Sequence, residues 1–138
     1  MPYVTNADVI TRLGGTAAAA QLTSESGDAP DATLIDAYKE EVTGEVLGTL
    51  ATRTSATITE VDHPNTFALI RGFILDIIVY RIAARRPNVP QAWKDAHERA
   101  RALLSGIAKG ELSLPDRALQ GPASDWGSAD QNAASWRG

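Results

Sequence analysis

Asp76 is the ionisable side chain whose sequence surroundings point most clearly to burial, because it interrupts the apolar run Phe73-Ile-Leu-Asp-Ile-Ile-Val-Tyr80. A buried carboxyl group holds its proton more tightly and can serve as a general acid. Tyr80 follows one helical turn later and Arg81 stands next to it, so the competing reading is a structural hydrogen bond or ion pair. No second carboxylate is spaced to complete a hydrolytic pair. The structural reading is the stronger one, and Asp76, Tyr80 and Arg81 are expected to be buried polar groups that hold the fold together.

Other chemistries find less support. The two histidines, His63 and His97, lie in different segments, and neither has a second ligand at metal spacing. They read as a residue at the start of a helix and a partly exposed helix residue. Cysteine is absent, which removes thiol nucleophiles, Cys-ligated zinc and disulfides. The Ser24-Glu-Ser-Gly-Asp28 run with Asp31 lacks the alternating carboxylates and final bidentate Glu of a calcium loop. Gly14-Gly15 is not followed by Lys-Ser or Lys-Thr, so phosphate cradling has no support. No catalytic residue, metal or cofactor is expected. The basic set Arg71, Arg81, Arg85, Arg86, Arg99, Arg101 and Lys109 is not interleaved with exposed aromatics, and the chain carries a net charge of -4. Sequence-specific DNA binding is therefore only a secondary reading.

The elements that would position these groups are helical. Thr5 or Asn6 can cap a short helix with Val9, Ile10 and Leu13 inward, ended by Gly14-Gly15. A second short helix is expected through Ala17 to Leu22, then a loop from Thr23 to Pro30. Asp31 caps a longer helix in which Leu34, Tyr38, Val42, Val46 and Leu50 recur, with Ile35 and Leu47 widening the stripe, to an end near Arg53. Residues 54–63 are polar and β-branched, and suit a surface loop or short hairpin. Pro64 opens a helix whose Phe67, Ile70, Phe73, Ile74, Ile77, Ile78 and Ile82 cover more than one stripe, which predicts the centre of the domain. After the short Arg85 to Val89 connection, Pro90 opens an antiparallel helix carrying Trp93, Ala96, Ala100, Leu103, Leu104 and Ile107. The alternation in Glu111-Leu-Ser-Leu114 predicts a short extended segment.

The fold class expected is all-α. Two long antiparallel core helices, a further long helix and short N-terminal helices form a small bundle over residues 1–114, and residues 115–138 form an extended C-terminal tail. With 43% hydrophobic residues but only 6% aromatic ones, aliphatic side chains must supply the core. Met1-Pro-Tyr-Val-Thr5 does not look like a secretory signal, and Phe67 to Ala84 is interrupted by Arg71, Asp76 and Arg81, so a membrane span is not expected. Residues 24–62 hold nine acidic and two basic side chains, whereas 63–110 hold eight basic and three acidic. Solvated helix faces account for that asymmetry, but it also suits one copy's acidic side meeting the next copy's basic side in a head-to-tail contact.

Several residues recur in an order that belongs to a known family. They are Tyr3-Val-Thr with Asp8, Arg12-Leu-Gly14, Gln21-Leu-Thr23, Asp31, Val46-Leu-Gly48 and Leu50 to Arg53. Asp76, Tyr80-Arg-Ile, Arg85-Arg-Pro87, Glu98, Leu104, Ile107-Ala-Lys-Gly110 and Leu112-Ser-Leu114 follow. In this the chain resembles the Mu-like phage structural proteins, which in turn look like the head-tail adaptors, or head completion proteins, of long-tailed phages. It departs from them at Thr49, where a Tyr is usual, and at His97, where an aromatic is common. The resemblance implies a virion protein of the head-tail interface, present in the host cytoplasm during assembly. There it would form a ring, of twelve copies in this pattern, with neighbouring copies of itself on the portal protein. The ring would extend the channel for genomic DNA without sequence-specific binding and offer a platform to a stopper or tail-side neck protein. It implies no catalytic residues and no cofactor.

Extended, the tail could reach roughly 80 Å at about 3.3 Å per residue. Leu119, Trp126 and Trp136 are its expected anchors on a neighbouring copy or on the portal, with folding back on its own domain as the alternative. Three rival readings stay open: another neck component such as a stopper or tail terminator, a small helical DNA-binding or regulatory protein, and an enzyme acting through Asp76.

Overall fold

The computed structural model describes residues 3–51, 53 and 58–115. Five helices make up this body: α1 (Asn6–Leu13), α2 (Thr16–Thr23), α3 (Ala32–Leu50), α4 (Pro64–Ala83) and α5 (Gln91–Ala108). It is a small all-α bundle with no strand among the described residues.

Local chemistry sets the helix ends. Thr5, rather than Asn6, caps α1 through a reciprocal box: its hydroxyl accepts from the Asp8 amide at 3.2 Å while the Asp8 carboxylate accepts from the Thr5 amide at 3.0 Å. Gly14 and Gly15 adopt φ of 113° and 110°, conformations that favour glycine, so the chain leaves α1 and starts α2 within two residues. The α2–α3 junction is tied at Thr23, whose buried hydroxyl donates to the Ala19 carbonyl and accepts from the Asp31 amide. Asp31 in turn caps α3 by accepting from the Leu34 amide at 3.2 Å. Pro64 occupies the first turn of α4.

The centre of the bundle is α4, as its all-round apolar pattern requires. Every apolar residue named for it above is buried, together with Leu75, Val79, Ala83 and the polar Thr66. Helices α1, α2, α3 and α5 all pack on it. The core runs from Val4 to Leu114, so the folded body spans nearly all the described chain.

Ion pairs and end contacts give the directions. Tyr3 lies on Phe67 and Arg12 on Asp76, so α1 runs parallel to α4. Thr66 donates to the Pro115 carbonyl and His97 lies on Tyr80, so α5 returns antiparallel. Helix α3 meets α4 near the C-terminal end of α4, where Glu41 and Glu45 face Arg81.

Three local expectations change. In α3 the buried stripe is Ile35, Val42, Val46 and Leu50, and Leu47 is exposed because it is rotated about 100° from Val46, away from α4 and α5. The helix closes at Leu50, and Arg53 belongs to the following turn, its amide donating to the Leu50 carbonyl at 2.9 Å. The extended segment expected at 111–114 is bent back at its start, over residues 111 and 112. Gly110 has φ of 83°, and the amides of Glu111 and Leu112 both return to the Gly106 carbonyl, folding the chain over the last turn of α5. Leu114 is buried, as an alternating segment would also require, which is why the pattern alone did not separate the two conformations.

Candidate functional site

Asp76, Tyr80 and Arg81 project from α4 into three different helix seams, and each is half-buried rather than fully buried. Arg12, in the last turn of α1, donates from Nη1 to Asp76 Oδ1 at 2.5 Å. Burial pushes the Asp76 carboxyl above its ordinary value, and the attraction of Arg12 and, more weakly, Arg99 offsets only part of that. The group is thus a partly desolvated carboxyl pinned across a helix seam by one arginine. The partner is not Tyr80, nor any arginine of the basic set named from sequence. It comes from α1, which local spacing does not connect to α4.

Arg81 grips α3. Its Nη1 and Nη2 donate to the two carboxylate oxygens of Glu45 at 2.6 and 2.7 Å, and Nη1 lies 3.3 Å from Glu41. With its side chain only 22% exposed, this forked pair is stronger than a solvent-exposed one. Hydrogen bonding from Arg81 lowers the Glu45 pKa, and the same bond raises that of Arg81. Arg101 of α5 reaches the same carboxylate at 3.5 Å.

Tyr80 is a stacking residue. Its ring lies on His97 of α5 with centroids 4.1 Å apart and planes 12° from parallel, and Arg101 Nε donates to His97 Nε2 at 3.4 Å. Burial first, then the positive charges of Arg101 and Arg81, lower the His97 pKa. The imidazole therefore behaves as a neutral stacking ring, in a position where an aromatic side chain would serve equally well.

These contacts form a belt around α4 that sets the positions of α1, α3 and α5. The charges face one another across the seams. The acidic excess of α3 is thus partly consumed inside the chain, by Arg81 and Arg101, which leaves less of it for the contact between copies that the charge asymmetry suggested.

The bundle end at the start of α4 is organised differently. Tyr3 stacks on Phe67 with centroids 4.5 Å apart, its carbonyl accepts from Arg71 Nε at 3.0 Å, and its hydroxyl donates to the Ile58 carbonyl at 3.5 Å. Arg71 also lies over the Phe67 ring and pairs with Glu60 at 3.6 Å. The N-terminal segment, the 58–63 connection and the Thr66-bound Pro115 therefore meet at one end. Arg53, read from sequence only as the end of a helix, is buried. The tail anchors Leu119, Trp126 and Trp136 lie outside the described residues.

Among the described residues, no group of three His, Cys, Asp or Glu side chains is placed to hold a metal ion, and no helix is long and apolar enough to cross a membrane. No match is found among curated proteins or among solved structures. The sequence model of the family described as Bacteriophage Mu, Gp36 matches residues 3–131, which takes in all five helices and the first part of the tail. On that match over almost its whole length, the chain is a phage protein and belongs to the bacteriophage Mu Gp36 family.

Proposed function

We infer that this phage protein is a virion component of the neck, a non-enzymatic head-tail adaptor that forms a ring on the portal. It would extend the DNA channel and present a platform to the stopper or tail-side protein. The observation that carries the reading is the disposition of its charged side chains. In a chain of this family, Asp76, Arg81, Glu45 and Arg101 are spent on joining helices to one another. A stopper or tail terminator reading expects a strand-rich body, and this body is helical.

The adaptor reading has two parts that can be measured. The isolated chain should be monomeric or weakly associated, because α4 is already covered on several sides and Glu41 and Glu45 are paired internally. It should assemble into a ring when mixed with heads that carry a portal but lack this protein. Native mass measurement of the chain alone and on such heads tests both. A stable ring at micromolar concentration without the portal would contradict the assembly order, and failure to attach to the heads would sink the adaptor role. Deleting residues 116–138, with Leu119, Trp126 and Trp136, should leave the helical body folded and abolish stable attachment. Unchanged attachment of that truncation would show that the tail is not the clamp.

A further inference from the structure

Helix α5 is held to the bundle unevenly along its length. Its buried residues, Ala100, Leu104, Gly106 and Ile107, all lie in the second half. From Gln91 to Arg99 no residue is fully buried, and only Trp93, Ala96 and His97 are half-buried. The start of the helix is weakly closed as well. Pro90, at the N-cap position, offers no side-chain acceptor, and no acidic residue stands in the first turn. Helices α1 and α3, by contrast, are capped by Thr5 and Asp31.

One cluster ties this first half down. The His97 ring lies on Tyr80 of α4, its Nε2 accepts from Arg101 Nε at 3.4 Å, and Arg101 Nη2 reaches Glu45 of α3 at 3.5 Å. A neutral imidazole that accepts at Nε2 carries its proton on Nδ1. A second proton, added at Nε2, turns the acceptor into a donor that faces the Arg101 donor and sets two cations against each other. The charges around the ring are Arg101 and Glu98 from α5 and Arg81 from α4. Glu45 and Glu41 of α3 stand behind the two arginines, both oxygens of Glu45 being held by Arg81. Two arginines and two α3 carboxylates thus balance around an uncharged ring. Arg101 is the member held least firmly, by one long contact to Glu45, with its side chain 43% exposed.

We propose that His97 is an acid-operated latch for the first half of α5: protonation at Nε2 displaces Arg101, and residues 91–99 lift from α4 and α3 while the second half stays docked. The latch does not depend on the adaptor reading. Burial of the ring first, and then the charges of Arg101 and Arg81, hold the docked His97 below its ordinary value, so the lifted segment takes up the proton more readily than the docked one. The latch is therefore closed at neutral pH, and release grows as the pH falls from about 6.5 through the docked value. Glu45 stays charged in that window, since Arg81 lowers its pKa. Asp76 is shifted upward, but its hydrogen-bonded partner is Arg12, so its protonation acts first on α1.

Amide hydrogen exchange read by mass spectrometry on the full-length chain tests this, at about pH 7.5 and about pH 5.5, with rates corrected for the intrinsic effect of pH. In wild type, residues 91–99 should exchange about threefold or more faster at the acid pH, while residues 102–108 and α4 keep their rates. His97→Phe should keep 91–99 protected at both pH values, and His63→Asn, at the other end of α4, should leave the acid response intact. An equal acid response in His97→Phe, or its loss in His63→Asn alone, would take the latch away from His97 and overturn the proposal. A gain of exchange in α1 in place of α5 would assign the acid response to Asp76 and overturn it too. The wild-type pattern decides the matter even if His97→Phe does not fold: no change at 91–99, or a uniform rise through α3, α4 and α5, would mean that no local release occurs.

Discussion

Replacing Gly106 by Ala tests the turn that directs the chain out of the bundle. In the last turns of a helix such a change ordinarily gains about 0.5–1 kcal/mol, because Gly pays more backbone entropy than Ala. Here a Cβ at position 106 would stand 2.7 Å from Leu112 Cδ1 and 3.1 Å from its Cγ, so the leucine must leave its place. Leu112 is 41% exposed, so its contact with α5 is worth about 1–1.5 kcal/mol, roughly half of full burial. Loss of that contact cancels the entropic gain. If the turn moves with the side chain, Leu114, 5% exposed, loses packing too, and the net effect reaches about 2 kcal/mol of destabilisation. Leu112→Ala removes the obstruction, because the Leu112 Cβ lies 3.8 Å away, an ordinary contact. In that background Gly106→Ala should stabilise by about 0.5–1 kcal/mol. Urea unfolding of the four chains at neutral pH gives the double-mutant cycle, with an expected coupling of about 1 kcal/mol or more. A Gly106→Ala chain that gains about 1 kcal/mol with Leu112 in place, and shows no coupling, would mean that residues 109–114 are not held against α5.

Two other outcomes follow from the geometry. The folded-state pKa of His97 lies below its unfolded value, so its contribution to stability is present above about pH 6.5 and is lost as the pH falls through the folded pKa. His97→Phe keeps a ring on Tyr80 and should flatten the fall in Tm between neutral and mildly acidic pH; an unaltered pH profile would remove His97 from the explanation. Asp31→Ala removes the acceptor for the Leu34 amide and should cost about 0.5–2 kcal/mol in urea unfolding, as other N-cap deletions do. No loss would mean that the bond from the Asp31 amide to Thr23 Oγ1 alone secures the start of α3.

The course of the chain was largely legible in one dimension because helix boundaries answer to neighbours in sequence. Thr5 with Asp8, Gly14-Gly15, Asp31 and Pro64 act within one turn, through amides that need an acceptor, a φ that favours glycine, or a proton that proline lacks. The rank of the helices was legible too. Apolar residues on all sides of α4 can be buried only if other helices surround it, whereas α5 shows one apolar face and packs on one side. The ordered residues shared with Mu-like phage proteins pointed to the family for a similar reason, since they are spread across every helix of the body.

The pairing of polar groups was settled only by the tertiary structure. Arg12 and Asp76 are 64 positions apart, Arg81 and Glu45 are 36 apart, and which arginine meets which carboxylate depends on how α1 and α3 lie against α4. Part of the acidic and basic excess counted along the chain is therefore joined within one copy, Glu41 and Glu45 to Arg81 and Glu45 to Arg101. Leu47 and residues 111–114 show the same limit on a smaller scale. A stripe can be widened on either flank, and alternation suits both a strand and a turn folded back on Gly106, until the packed neighbours decide. Arg53 is the plainest case, because a residue that looks in sequence like the polar end of a helix is only 7% exposed in the folded chain, with Nε and Nη2 buried and without a hydrogen-bond partner.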